Sequence, residues 1–172
     1  AIAVVADGMG GLMAGAEASR IAVDGVLEHL NSSNTVDAQR LAGAIALSHQ
    51  SIVDVSAAKE MTSQMGSTVV IWSATKDQWC AAWVGDSRLY QWHQETLTQL
   101  SKDHSLARRM LDSGDVESGV DVEAHYGHVL TQGLGLRQPL DPGFCSGDLF
   151  AGKAGRAGQR FLLCSDGLSD LV

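Results

Sequence analysis

Residues 2–6 form a short apolar run that breaks off at Asp7-Gly8, the pattern of a buried strand running into a loop. Glycines at 8, 10, 11 and 15 predict that this loop is flexible. A helix is expected next, because Ala18, Ile21, Ala22, Val26 and Leu30 recur at helical spacing. The polar stretch 31–35 breaks the pattern, and a second helix is predicted over 37–59 with Leu41, Ile45, Ile52 and Val55 on one face.

The period then shortens. Residues 67–74, 78–84 and 88–93 read as three strands, separated by Thr75-Lys76-Asp77 and by Gly85-Asp86-Ser87. Links this short predict antiparallel hairpins at both places. Residues 97–100 read as a fourth strand, 106–113 as a short helix, and 129–131 and 161–164 as further strands. The polar, acidic stretch 114–126 lacks a clear period and reads as a mobile surface loop. Residues 147–158 read as a glycine-rich connection, and a last helix begins near Leu168 and is cut off by the end of the chain. Helices and antiparallel strands arriving in blocks predict one layered α+β domain over 1–172.

Composition fits a folded domain, with 45% hydrophobic and 19% charged residues. Net charge is −8 and no Lys/Arg run stands out, which disfavours nucleic acid as a partner. No apolar run approaches the ~20 residues of a membrane helix, and no signal-peptide pattern is present. Cys80, Cys145 and Cys164 are odd in number, far apart and without a C-x-x-C, so neither a disulfide framework nor a zinc site is expected. Three small apolar thiols suit a reducing, cytoplasmic setting. Trp72, Trp79, Trp83 and Trp92 fall on strands and are expected to pack between layers.

The chemistry lies in a recurrence. Three apolar strands each end at an aspartate beside a glycine: Val4-Val5-Ala6-Asp7-Gly8, Trp83-Val84-Gly85-Asp86 and Leu163-Cys164-Ser165-Asp166-Gly167. Asp170 lies one helical turn past Asp166. Each Asp-Gly alone is a common turn signal. If the strand ends meet, however, the carboxylates crowd together and need a cation, and an oxygen-only donor set selects Mg²⁺ or Mn²⁺ over zinc. Spacing alone leaves both readings open.

Six ordered segments carry a resemblance across nearly the whole chain. They are Val5-Ala6-Asp7-Gly8-Met9-Gly10-Gly11, Gly66-Ser67-Thr68, Val84-Gly85-Asp86-Ser87-Arg88-Leu89-Tyr90, Leu97-Thr98-Gln99-Leu100-Ser101-Lys102-Asp103-His104-Ser105, Val129-Leu130-Thr131-Gln132-Gly133-Leu134-Gly135 and Phe161-Leu162-Leu163-Cys164-Ser165-Asp166-Gly167-Leu168-Ser169-Asp170. In these the sequence resembles the metal-dependent protein phosphatases of type 2C, in their bacterial form. The resemblance implies an αββα sandwich of two antiparallel sheets flanked by helices. It also implies hydrolysis of phosphoserine and phosphothreonine by a water bridging two metal ions, in opposition to a Ser/Thr kinase. By position, Asp7 is expected to bridge two Mn²⁺ or Mg²⁺ ions, the Gly8 carbonyl to bind one and Asp166 the other. Asp86, together with Asp166, is expected at a third, weaker ion, with Asp170 at or near that ion and residues 114–126 as a flap beside the cleft. Phosphorylated proteins, among them a kinase and its substrates, are the implied partners.

The chain departs from the family pattern at Leu12, where His is usual, at Ala16, where Glu is usual and Glu17 stands one place later, and at Met9, where animal members carry His. The general acid is therefore unassigned. An N-terminal strand pair with a phosphate-binding Arg and an acidic ligand, and a C-terminal Asp-Asn segment, are expected in the family and are absent from these 172 residues. Two rivals follow: a catalytically inactive phosphatase-like regulatory binding module, and an ATP-binding domain of the histidine-kinase type. The latter wants Asp-x-Gly-x-Gly, where Met9 stands at the third position. His104 and His128 are read as structural, and Arg88 as one half of an ion pair with a nearby carboxylate.

Overall fold

The computed structural model describes residues 1–31, 37–59, 65–114, 116, 121–149 and 158–169. In chain order the elements are β1 (Ile2–Val5), β2 (Gly8–Met9), α1 (Leu12–Asn31), α2 (Ala38–Ala58), β3 (Gly66–Ser67), β4 (Val69–Ala74), β5 (Gln78–Val84), β6 (Arg88–His93) and β7 (Thr96–Gln99). They continue with α3 (Leu106–Ser113), α4 (Val122–Tyr126), β8 (Gly143–Asp148), β9 (Arg160–Cys164) and α5 (Asp166–Ser169).

Two antiparallel sheets stack face to face, one ordered β1-β4-β5-β8 and the other β7-β6-β9. Alternation along β4 and β5 builds both layers of core. Val69, Ile71, Cys80, Ala82 and Val84 face α1 and α2, while Val70, Trp79, Ala81 and Trp83 meet Leu89, Phe161 and Leu163 of the second sheet. Phe161 sits between Trp72 and Trp79, at ring-centroid distances of 4.9 and 5.0 Å. On α1 the buried positions Ala14, Ala18, Ala22, Val26 and Leu30 step by four, and the small ones let α2 approach closely. A Cβ on Gly25 would come within 2.7 Å of Ser48 Oγ, which donates to the Ala22 carbonyl at 3.3 Å. Asp37 caps α2 by accepting the Arg40 N–H at 2.8 Å.

Six expectations are corrected. The glycine-rich stretch is no loop as far as Gly15: Gly8–Met9 pairs with Gly66–Ser67, and α1 begins at Leu12. Gly8 and Gly15 instead let two backbones touch, since a Cβ on Gly8 would fall 1.9 Å from the Gly15 carbonyl oxygen. The link at residues 85–87 is not a hairpin, for it carries the chain from the first sheet to the second. A strand, β8, was missed at Gly143–Asp148, with a Gly-rich connection expected over 147–158. Its glycines obscured it, yet they are needed under the tryptophan rings: Gly143 pairs with Trp83 and Gly147 with Trp79, and a Cβ on Gly143 would lie 2.2 Å from the Trp83 ring. Residues 129–131 form no strand. They have only the Ser105–Leu130 bridge, and their backbone is spent on Leu106 N–H to Val129 O and Thr131 N–H to His104 O. Within 114–126, Val122–Tyr126 is a helix capped by Asp121 with Val122 buried, while 115 and 117–120 lie outside the described residues. The last helix begins at Asp166 rather than near Leu168.

Candidate metal centre

Asp7 stands where β1 leaves the first sheet, and its backbone is fastened on both sides. Its N–H donates to Thr68 Oγ1 at 3.0 Å, and its carbonyl accepts from the Thr68 N–H at 2.8 Å and from Ser67 Oγ at 3.0 Å. Asp86 sits in the sheet-to-sheet crossing. There Gly85 takes φ +103°, a conformation that favours glycine, and its Cα side is closed by Thr68. The His104 backbone N–H donates to the Gly85 carbonyl at 2.9 Å, and the Gly85 N–H donates to His104 Nδ1 at 3.3 Å. Asp166 follows β9, which is held against β6 with Arg88 opposite Cys164.

The three strand ends meet. The Asp7 carboxyl neighbours that of Asp166, and its pKa is raised, first by burial and then by Asp166. Donation from the Gly8 N–H and the Ser165 hydroxyl pulls the other way. Asp86 is pushed up to about 6, again chiefly by burial, with the charges of Asp166, Asp103 and Asp7 adding to the rise against its own backbone N–H. Among the described residues no three acidic, imidazole or thiol groups close tightly enough to enclose a cation by themselves. The donor chemistry nevertheless fits a hard divalent ion: two carboxyls are neighbours, a third is within electrostatic reach, and all are oxygen donors.

A cleft of about 390 Å³ opens beside the cluster, lined by Asp86, Arg88, Asp103, Glu123, His128 and Asp166 among others. Asp7 is not in its lining and reaches it through Asp166. Arg88 is committed to Asp103, with Nε at 2.8 Å and a terminal nitrogen at 2.7 Å, and it reaches Glu123 of α4 at 3.8 Å. The Asp103 bond is also the main reason that the Arg88 pKa is raised. Gln99 donates to the other Asp103 oxygen at 3.0 Å. The expected ion pair of Arg88 is therefore present, and it ties the second sheet to the short helix beside the cleft.

Of the predicted site residues, Asp7, Asp86 and Asp166 come together. The Gly8 carbonyl oxygen lies against Gly15 of α1, 2.7 Å from where a Cβ there would stand. Asp170 lies outside the described residues. His104 is structural, as expected, and burial lowers its pKa, whereas His128 lines the cleft. Reading the sequence missed Asp103, Thr68 and Ser165 as parts of this region. All three stand inside the quoted segments, so position in a segment was a signal, but only the fold reveals which partner each one meets.

The model for protein phosphatase 2C matches residues 1–172, the whole chain. The chain belongs to the protein phosphatase 2C family. It is a protein-serine/threonine phosphatase by that membership. The protein phosphatase PhpP of Streptococcus pneumoniae is 32% identical over 174 residues, which is 98% of this chain and 68% of that protein. The serine/threonine phosphatase PstP of Mycobacterium tuberculosis superposes with a TM-score of 0.81 at 29% identity, covering 99% of this chain and 70% of that one. A PstP catalytic domain solved with two manganese ions gives a TM-score of 0.81 at 28% identity over 99% of this chain and 69% of that domain. In a 2C phosphatase the meeting of strand-end carboxylates at one edge of the sandwich is thus the feature to be explained.

Proposed function

We propose that this phosphatase hydrolyses phosphoserine and phosphothreonine in proteins using two divalent cations, Mn²⁺ or Mg²⁺, with Asp7 between them and Asp166 on one. Asp86 and Asp170 would serve a third, weaker ion, and the Gly8 carbonyl would complete the first site. The observation that carries the reading is the gathering of three strand-end carboxyls, with Asp7 beside Asp166, and Asp166 and Asp86 lining one cleft. Neighbouring carboxyls repel once both are ionised, so the arrangement calls for positive charge. The two manganese ions of the PstP catalytic domain support the same choice of metal. Bound there, such cations would activate a water and neutralise charge developing on a phosphoryl group.

The chain's own residues set the stage. Asp7 is held rigidly because both its backbone groups are hydrogen-bonded. Arg88 stays bound to Asp103 and so keeps one wall of the cleft in place. The acidic lining of the cleft suits a substrate only once cations have reversed its charge. The partners we infer are phosphoproteins, including the substrates of an opposing Ser/Thr kinase, and the setting the cytoplasm, in keeping with three free cysteines. No helix among the described residues is long and apolar enough to cross a membrane.

The test is hydrolysis of p-nitrophenyl phosphate and of a phosphothreonine peptide by the full-length protein. Turnover is expected with Mn²⁺ or Mg²⁺ and none after EDTA. Turnover that survives thorough chelation would overturn the metal reading.

A further inference from the structure

We propose that Thr68 is a positioning residue of this centre, its hydroxyl being the node that fixes the Asp7 segment to the Asp86 segment. The proposal deepens the metal-site reading above and rests on it. Thr68 is 3% exposed and stands in the one-residue gap between β3 and β4. Its Oγ1 accepts the Asp7 N–H at 3.0 Å and shares a hydrogen bond of 2.7 Å with Ser87 Oγ, which is 1% exposed and adjoins Asp86. Its side chain also closes the space beside Gly85, where an added Cβ would meet Thr68 Cγ2 at 2.7 Å. One side chain thus touches residues 7, 85 and 87, the neighbours or bearers of two of the three clustered carboxylates.

The physics favours the hydroxyl over the methyl as the working group. A threonine hydroxyl has one proton to give and two lone pairs, so it can accept from Asp7 and still bond Ser87. The Ser87 bond is buried and the Asp7 bond partly so, which leaves water little room to replace them if the hydroxyl is lost. The Thr68 N–H to Asp7 carbonyl bond of 2.8 Å survives any side-chain change, so the strand connection remains. Losing the hydroxyl should therefore loosen the spacing between Asp7 and Asp86 while leaving the sheet in place. Carboxylates out of register bind a cation less well, as do ligands robbed of their supporting hydrogen bonds.

The experiment compares Thr68→Val, which keeps the shape without the hydroxyl, with Thr68→Ser, which keeps the hydroxyl without the methyl, in the full-length protein. Mn²⁺ affinity is read by calorimetry and by the Mn²⁺-induced rise in melting temperature, alongside kcat at saturating Mn²⁺. Thr68→Val is expected to weaken Mn²⁺ binding by about 10- to 100-fold, as loss of a supporting partner typically does. Thr68→Ser should stay within about threefold of wild type, because the hydrogen bonds remain. Wild-type affinity in Thr68→Val, or an equal loss in both variants, overturns the proposal in favour of simple packing. If Thr68→Val does not fold, Ser87→Ala decides, since it removes the Ser87 hydroxyl and leaves Thr68 against Gly85; unchanged Mn²⁺ affinity there overturns the proposal. A wild-type protein that binds no Mn²⁺ overturns the metal reading and this proposal together, whereas a binding wild type with unaffected variants removes this one alone.

Discussion

The two ends of β5 present three-residue links of similar make-up with opposite fates. At one end Thr75-Lys76-Asp77 closes a hairpin: β4 and β5 pair from Val69–Val84 to Ala74–Trp79, and all three link residues are exposed. At the other end Gly85-Asp86-Ser87 leaves the sheet altogether and delivers the chain to β6 in the second sheet. Asp77 uses its backbone carbonyl to accept from Leu149 and leaves its side chain to water. Asp86 is drawn inward, and burial with neighbouring carboxylates lifts it to about 6. The same residue type is therefore an exposed turn residue in one place and a buried carboxyl with a raised pKa in the other. What separates them is where the next strand goes, a non-local matter that the link's own sequence does not encode.

The comparison can be broken hardest at the carboxylates themselves. Asp7→Ala and Asp166→Ala in the full-length protein should each lower kcat at saturating Mn²⁺ by at least about 100-fold, roughly 3 kcal/mol of barrier. Asp77→Ala should change it less than about twofold, as expected for a surface turn. Similar kinetics in all three would erase the distinction between turn and ligand.

Next in size is the ion pair that steadies the crossing. Asp103 is only 9% exposed at its side chain, and Arg88→Met would leave its charge without its principal partner. Unfolding by urea should show a loss of about 2–3 kcal/mol. A loss below 0.5 kcal/mol, typical of an exposed pair, would mean that the bond holds nothing in place.

A smaller, opposite effect is expected at Asp86. Its folded pKa is raised above the ordinary 3.8, so ionising it costs stability as pH rises through this window toward about 6. Metal-free Asp86→Asn should accordingly melt a few degrees above wild type at pH 7.5, a gain of about 1–2 kcal/mol. That advantage should shrink as the pH falls through 6 toward 3.8, because the wild-type carboxyl then takes up its proton. His49 and His104, both lowered by burial, are common to the two proteins and cancel in the difference. A gain that is independent of pH would point to packing rather than charge.

Local pattern carried much of this fold. The bounds of β5, β6 and α3 agree with the periodicity of residues 78–84, 88–93 and 106–113, and Asp37 marks the start of α2. Legibility failed where a residue answers to a distant neighbour. Gly143 and Gly147 look like loop residues until the Trp83 and Trp79 rings are seen to cover them. Gly8 and Gly15 look like flexibility until the contact between β2 and α1 is seen. For the site, three Asp-Gly neighbours were visible as candidates, but only the fold brings Asp7 against Asp166 and Asp86 beside them. Thr68 and Asp103 stand inside the resembling segments, but their partners were not legible there, since a hydroxyl or carboxylate shows its partner only after residues 7, 87 and 88 have been brought alongside.

The central claim is that the neighbouring carboxyls of Asp7 and Asp166 make a cation site and not a turn. It is tested most directly by melting the full-length wild type and Asp166→Asn with and without Mn²⁺. Wild type should gain several degrees on adding Mn²⁺ at about 100 times its dissociation constant, corresponding to about 2.7 kcal/mol. Asp166→Asn should melt at or above wild type without metal, because the repulsion with Asp7 is gone, and should gain little on adding Mn²⁺. An Mn²⁺-induced rise in Asp166→Asn equal to that of wild type would contradict the account.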